Sequence, residues 1–72
     1  MMTKDLQSVK QALIEDKDVF IHWGTGFPEE VLLPVPWITA IDLERQTVTV
    51  CLSNNRKTKE YAILPTMAFD IE

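Results

Sequence analysis

The chain has 72 residues, and its 11 acidic and 7 basic residues give a net charge of −4. This length predicts a single small domain over residues 1–72. The acidic balance argues against nucleic acids and anionic membranes as partners, because both attract basic surfaces.

The same composition bears on location and association. One cysteine and one histidine are too few for an internal disulfide or a zinc site made of Cys and His ligands. The sequence shows neither a secretory leader nor an apolar run long enough to span a membrane, so we expect a cytoplasmic protein of a bacterium or a phage. A domain this small buries a limited core, so we expect support from a protein partner or from self-association as a homo-oligomer.

The first predicted element is an amphipathic helix over residues 3–15. Leu6, Val9 and Leu13 recur at helical spacing, and polar residues occupy the opposite side. Thr3 is the predicted N-cap. We expect the apolar stripe to pack on a sheet; docking in a groove of a partner is the alternative.

Residues 19–23 form an apolar run of strand length, in which His22 is the one polar residue. The chain then enters a loop that contains both of its glycines. Aromatic residues beside a Gly/Pro loop are enriched at protein interfaces, so Trp23, Phe27 and Trp37 are our candidate partner-binding residues. The alternative is that both tryptophans lie in the core, because a small domain needs its largest apolar side chains inside.

The segment at residues 31–33 is predicted to be a short strand. Prolines at positions 34 and 36 follow it, and proline cannot donate to a central ladder, so this would be an edge strand. An extended, polyproline-like crossing and a single helical turn starting at Pro28 are the alternatives.

The strongest local signal is a β-hairpin formed by residues 37–43 and 47–52. Val48 and Val50 alternate with threonines, which is typical of a strand with one face on a core. The polar residues between the two strands lack Gly and Asn, which favours a loop longer than a tight two-residue turn. If the turn centres on residues 44–45, Ile41 lies opposite Val48 and Thr39 opposite Val50.

The remainder of the chain is predicted as a strand at residues 60–64 and a tail at residues 66–72, which could form a last strand or dock on the domain. The turn at residues 56–59 holds Arg56, Lys57 and Lys59. This basic cluster would be the contact site if the protein were a small nucleic-acid-binding β-barrel; a solvated hairpin tip is the simpler interpretation.

Together these elements predict an α+β fold, in which the N-terminal helix packs on an antiparallel sheet of about four or five strands. That sheet could curl toward an SH3-like half-barrel. Strand order does not follow from the sequence.

One resemblance bears on the hairpin. Val35-Pro36-Trp37-Ile38, Ile41-Asp42, Glu44 and Val48-Thr49-Val50-Cys51-Leu52-Ser53 are similar to the last hairpin of some PRC-barrel domains. The resemblance is limited to residues 35–53, and it implies a small β-barrel that acts as a protein-contact module. The earlier glycine-containing strands of that barrel have no counterpart here, where a helix is predicted, so the fold prediction does not use it.

The sequence offers little catalytic chemistry. His22 lies in a strand without an orienting acid nearby in sequence, and Cys51 has no helix N-terminus or basic neighbour to activate it. We therefore expect no enzyme, no cofactor and no metal. The favoured function is a small protein-interaction or regulatory module, of the adaptor or phage-inhibitor type. A structural subunit of a larger assembly is a further alternative.

Overall fold

The computed structural model describes residues 1–54 and 57–72, and within them the chain forms one helix and six strands. In chain order these are β1 (Met2–Thr3), α1 (Leu6–Ile14), β2 (Val19–His22), β3 (Ile38–Asp42), β4 (Thr47–Cys51), β5 (Thr58–Ala62) and β6 (Ala68–Ile71). The strands make two three-stranded antiparallel sheets, ordered β1-β6-β2 and β3-β4-β5. The fold is thus a small mixed α+β fold, and two sheets replace the predicted single one.

Helix α1 is shorter than the predicted helix over residues 3–15. The N-cap is Asp5, whose carboxylate accepts hydrogen bonds from the Gln7 amide at 3.1 Å and the Ser8 hydroxyl at 2.8 Å. Thr3 belongs to β1, and its hydroxyl accepts a hydrogen bond from the Asp5 amide at 3.0 Å. Thr3 and Asp5 can both cap a helix, and the helix starts at Asp5, whose carboxylate accepts two hydrogen bonds from the first turn.

The predicted strand at residues 31–33 is not formed. Leu32 makes a single backbone contact there, donating its N–H to the Leu52 carbonyl at 2.7 Å, and the chain then bends through residues 33–35. Prolines follow this segment directly, so it cannot extend a ladder. Residues 23–37 therefore form one long connection between β2 and β3.

The tail at residues 66–72 contains the central strand of the first sheet. β6 pairs with β1 on one side and β2 on the other, and Phe69 lies opposite both Thr3 and Ile21. Phe69 is fully buried, which explains why this segment is drawn into the centre.

A single buried cluster joins the helix to both sheets. Val9 and Ala12 from α1 meet Ile21 and Phe69 from the first sheet and Val48 from the second. In β4 the valines face this core and the threonines face outward, as the alternation predicts. The predicted pairing of Ile41 with Val48 is present, whereas a register shift between Ile38 and Ala40 displaces Thr39 from Val50.

The two sheets are connected through the backbone of β2. Phe20 forms an isolated antiparallel bridge with Trp37, and the Ile21 N–H donates to the Pro36 carbonyl at 2.8 Å. The Cys51 N–H in turn donates to the Trp37 carbonyl at 2.9 Å. The side chains of Phe20, Trp37 and Cys51 therefore lie on neighbouring segments, in a row that runs from the first sheet to the second.

Truncating Phe69 tests this description of the core. Phe69→Ala should lower the free energy of unfolding by about 3–5 kcal/mol, because it removes a buried ring between two neighbouring strands. The control Leu32→Ala, at an exposed position, should change it by less than about 0.5 kcal/mol. Urea denaturation followed by circular dichroism measures both, and equal effects would contradict the assigned core.

Candidate protein-contact surface

Trp23 lies beneath the loop rather than on its surface. Its side chain is only 4% exposed. The ring packs edge-on against Tyr61, with ring centroids 4.9 Å apart, and against Phe27, with centroids 5.8 Å apart. Of the three predicted contact residues, the structure thus brings Trp23 and Phe27 together and gives Trp23 a supporting position in the core.

Gly24 fixes the path of the loop beyond Trp23. It has φ of +86°, and a Cβ atom at this position would lie 2.6 Å from the Thr66 carbonyl oxygen. The Thr66 hydroxyl donates to the Trp23 carbonyl at 3.0 Å, which holds the two segments together. Gly26 also has positive φ, +68°, but no atom lies within 4 Å of its ideal Cβ position. Close backbone approach therefore requires glycine at position 24 specifically.

Three apolar side chains of the connection face solvent. Phe27 is 46% exposed, Leu32 73% and Val35 48%. We call these three residues the apolar loop surface. Val31 and Pro36, which precede Leu32 and follow Val35 in the chain, are buried. The loop is therefore packed against the domain at these two residues.

A groove runs beside Phe27. It has a volume of about 440 Å³, and its walls include His22, Trp23, Phe27 and Pro34. The groove is open to solvent and combines aromatic walls with the exposed imidazole of His22.

Glu30 ties the loop to β5. Its Oε1 accepts hydrogen bonds from the Lys59 ammonium at 2.8 Å and from the Tyr61 hydroxyl at 2.7 Å. The bond from Lys59, and next that from Tyr61, lower the pKa of Glu30 to about 2. Burial, and next the bond to Glu30, raise the pKa of Tyr61 to about 12. The sequence gives no signal of this contact, because these residues are 29 and 31 positions apart.

Trp37, the third predicted contact residue, lies elsewhere. It is half-buried on the outward side of the sheets and lines a separate depression of about 320 Å³ with Thr39, Cys51 and Thr58. The predicted trio is therefore divided between two places. Sequence reasoning also missed Leu32 and Val35, because a run of apolar residues followed by prolines predicted a packed edge strand.

The potentially reactive side chains are placed as follows. Cys51 is buried, and its thiol donates to the Ser53 carbonyl at 3.3 Å. Across residues 1–54 and 57–72, no group of three or more His, Cys, Asp or Glu side chains could hold a metal ion. No helix in this part of the chain is long and apolar enough to cross a membrane.

The basic turn predicted at residues 56–59 is described only in part, because Arg56 lies outside the described residues. Lys57 is exposed. Lys59 pairs with Glu30 and lies 5.3 Å from the centre of the Tyr61 ring. The positive charge of Lys59 is thus offset by the carboxylate of Glu30, in the same contact that holds the loop to β5.

Comparisons with known proteins supply no relative: no family model, no curated protein and no solved structure matches the chain.

Substituting the two loop glycines separates backbone conformation from close packing. Gly26→Ala should lower the free energy of unfolding by about 1–2 kcal/mol, the cost of left-handed backbone for a residue with a Cβ. Gly24→Ala should cost at least about 1 kcal/mol more, because its Cβ also collides with Thr66. Urea denaturation checks the order, and equal losses would mean that the loop does not approach Thr66 closely.

The contacts of Glu30 predict its titration. A carboxyl whose pKa falls on folding adds stability that is complete above its usual pKa of 4.5 and is lost as the pH falls toward 2. Carbon-detected NMR should give a midpoint near 2 for Glu30 in the folded protein. Lys59→Met should raise this midpoint more than Tyr61→Phe, because the lysine has the larger influence. A midpoint near 4.5 in the unmodified protein would show that the contact is absent.

Proposed function

We propose that this protein is a small, non-enzymatic interaction or regulatory module that binds a protein partner through the apolar loop surface. The observation that carries the proposal is the contrast within one connection. Phe27, Leu32 and Val35 are exposed, whereas Val31 and Pro36, in the same connection, are buried in the domain. The role fits the adaptor or phage-inhibitor type favoured by the sequence.

Anchoring of the loop supports a binding role. Gly24 packs on Thr66, Glu30 bonds to Lys59 and Tyr61, and Val31 is buried. A surface held in place before binding loses less conformational entropy when a partner arrives. Binding energy then comes from a few apolar anchors instead of being spent on ordering the loop.

Phe27 is the expected centre of this surface. Its ring packs edge-on against Trp23, with the centroids 5.8 Å apart, and one part remains exposed. An aromatic side chain supported from below and open above resembles the hot spots of protein interfaces, which lie in well-packed positions. Leu32 and Val35 add two further exposed apolar side chains on the same connection.

The chemistry of the loop favours contact over catalysis. Its exposed side chains are chiefly apolar, and the carboxylate of Glu30 is occupied in holding the loop. We also propose that the two sheets behave as one curled sheet, toward an SH3-like half-barrel, supported by the bridge between Phe20 and Trp37. The protein partner could be a second copy of the chain.

Affinity capture with matched variants tests the interaction. Phe27→Ala combined with Leu32→Ala should reduce recovery of a specific partner by about tenfold or more, because both side chains are lost from the contact. Ile14→Ala, at an exposed apolar position at the end of α1, is the control and should leave recovery unchanged. Circular dichroism verifies folding, and light scattering on the same variants distinguishes a second copy from another protein.

Unchanged recovery by the double variant would refute the assigned surface. A loss of recovery by Ile14→Ala equal to that of the double variant would do the same, since it would locate the contact on the helix.

A further inference from the structure

Strand β5 is an open edge of the second sheet. It is the last strand in the order β3-β4-β5, and in the described chain it pairs only with β4. The Leu52 N–H donates to the Lys57 carbonyl at 2.7 Å, and the Ile63 N–H donates to the Gln46 carbonyl at 2.9 Å. Because these bonds alternate along an antiparallel strand, the backbone groups of Thr58, Glu60 and Ala62 point away from β4.

The edge carries one common protection in a weakened form. An inward-pointing lysine discourages strand addition at a sheet edge. Lys59 lies on the core-facing side of β5, but its ammonium donates to Glu30 at 2.8 Å, so its charge is offset within the chain. Of the other outer strands, β2 is bridged to Trp37 just before β3, and β1 has only two residues. Strand β5 has five residues, all exposed except Tyr61.

The outward side chains beside this edge form two rows. In the first row, Thr58 lies next to Cys51, and Cys51 lies next to Trp37 through the backbone hydrogen bond between them. These three residues and Thr39 line the depression of about 320 Å³. Its walls are an indole ring, a thiol and the methyl-bearing threonines, so it suits an apolar side chain.

The second row is acidic. Glu60 lies next to Thr49, and Thr49 next to Ala40. This row borders a depression of about 600 Å³. Its charged lining residues are Lys10 and the three acids Asp42, Glu44 and Glu60. Arg45 pairs with one carboxylate oxygen of Glu60 at 3.0 Å, and the Thr47 hydroxyl donates to the other at 2.7 Å. With Arg45 included, three carboxylates face two cations, and the remaining negative charge at this recess favours a basic side chain.

We propose that the β5 edge binds an extended segment of a partner protein, which adds to the second sheet as a fourth, antiparallel strand. Backbone hydrogen bonds to Thr58, Glu60 and Ala62 provide the docking. A large apolar residue opposite Thr58 enters the first depression, and a basic residue opposite Glu60 faces the second. The two residues are separated by one position in the segment, because alternate side chains of a strand share a face.

A second copy of β5 fits this edge poorly. The register that pairs all five of its residues with the same five places Glu60 directly opposite Glu60 of the other copy. Like charges directly opposite each other destabilise a strand pair. The charge of the edge therefore favours a segment of different sequence.

A synthetic peptide provides the probe: acetyl-Thr-Val-Arg-Thr-Leu-Thr-Thr-amide. In the antiparallel alignment its arginine lies opposite Glu60 and its leucine opposite Thr58. Amide hydrogen exchange measured by NMR should show fast exchange at Thr58, Glu60 and Ala62 in the free protein and slow exchange at these amides with peptide added. Lys59 and Tyr61 already donate to β4 and should change little.

Matched peptides separate backbone docking from non-specific adsorption. N-methylation of the arginine blocks an N–H that points to β5, and should weaken binding by about tenfold or more. N-methylation of the following threonine, whose N–H points away, should weaken it by less than about threefold. Replacing the leucine by serine, or the arginine by glutamate, should each weaken binding by about fivefold or more.

A charge exchange tests the register on the protein. Glu60→Lys should reverse the preference, so that the peptide with glutamate binds more tightly than the peptide with arginine. The Phe27→Ala, Leu32→Ala double variant should bind the peptide normally, so failure at the apolar loop surface and failure at the edge are distinguishable.

Four outcomes would overturn the proposal. These are the absence of chemical-shift changes on β5 at saturating peptide concentrations, equal effects of the two N-methylations, no reversal by Glu60→Lys, or slow exchange at the β5 edge without peptide that accompanies a dimer in light scattering.

Discussion

The short backbone contact between β2 and the start of β3 governs the arrangement of the molecule. Phe20 bridges to Trp37, and Ile21 donates to Pro36, so the first sheet is joined at this point to the segment that leads into the second. This contact places Ile21 toward the core and Phe20 outward. Because the two strands meet there, the connection between them starts and ends at neighbouring points of the domain. Its exposed side chains, Phe27, Leu32 and Val35, lie between these two points in the chain.

The aromatic residues around this contact divide by side. Trp23 faces the core, where it supports Phe27 and packs on Tyr61. Trp37 lies on the outward side, above Cys51. The core under the loop therefore gives Phe27 a firm base, while the outward side presents a separate recess beside the free edge of β5. Two surfaces with different chemistry result, one apolar and the other a combination of backbone groups, apolar recess and carboxylates.

Local patterns in the sequence predict those parts of the fold that depend on neighbours in the chain. Alternation in residues 47–52 identifies the inward valines of β4, and the apolar spacing in residues 3–15 identifies α1, although the cap moves to Asp5. Of the three predicted contact residues, Trp23 and Phe27 lie together and Trp37 lies elsewhere. The contacts of Glu30 and the central position of β6 depend on residues far apart in the chain, so no local pattern reveals them. The exposure of Leu32 follows from where the loop is tied down, which periodicity does not encode.

The position of β6 has a consequence for biosynthesis. β1 and β2 do not pair with each other, and in the first sheet each of them pairs with β6, at residues 68–71. Until residues 68–71 have left the ribosome, the first sheet therefore has no centre, although the β3-β4-β5 meander can already assemble. Pairing of β6 with β1 then closes a loop of more than 60 residues, a contact of high sequence separation that slows folding.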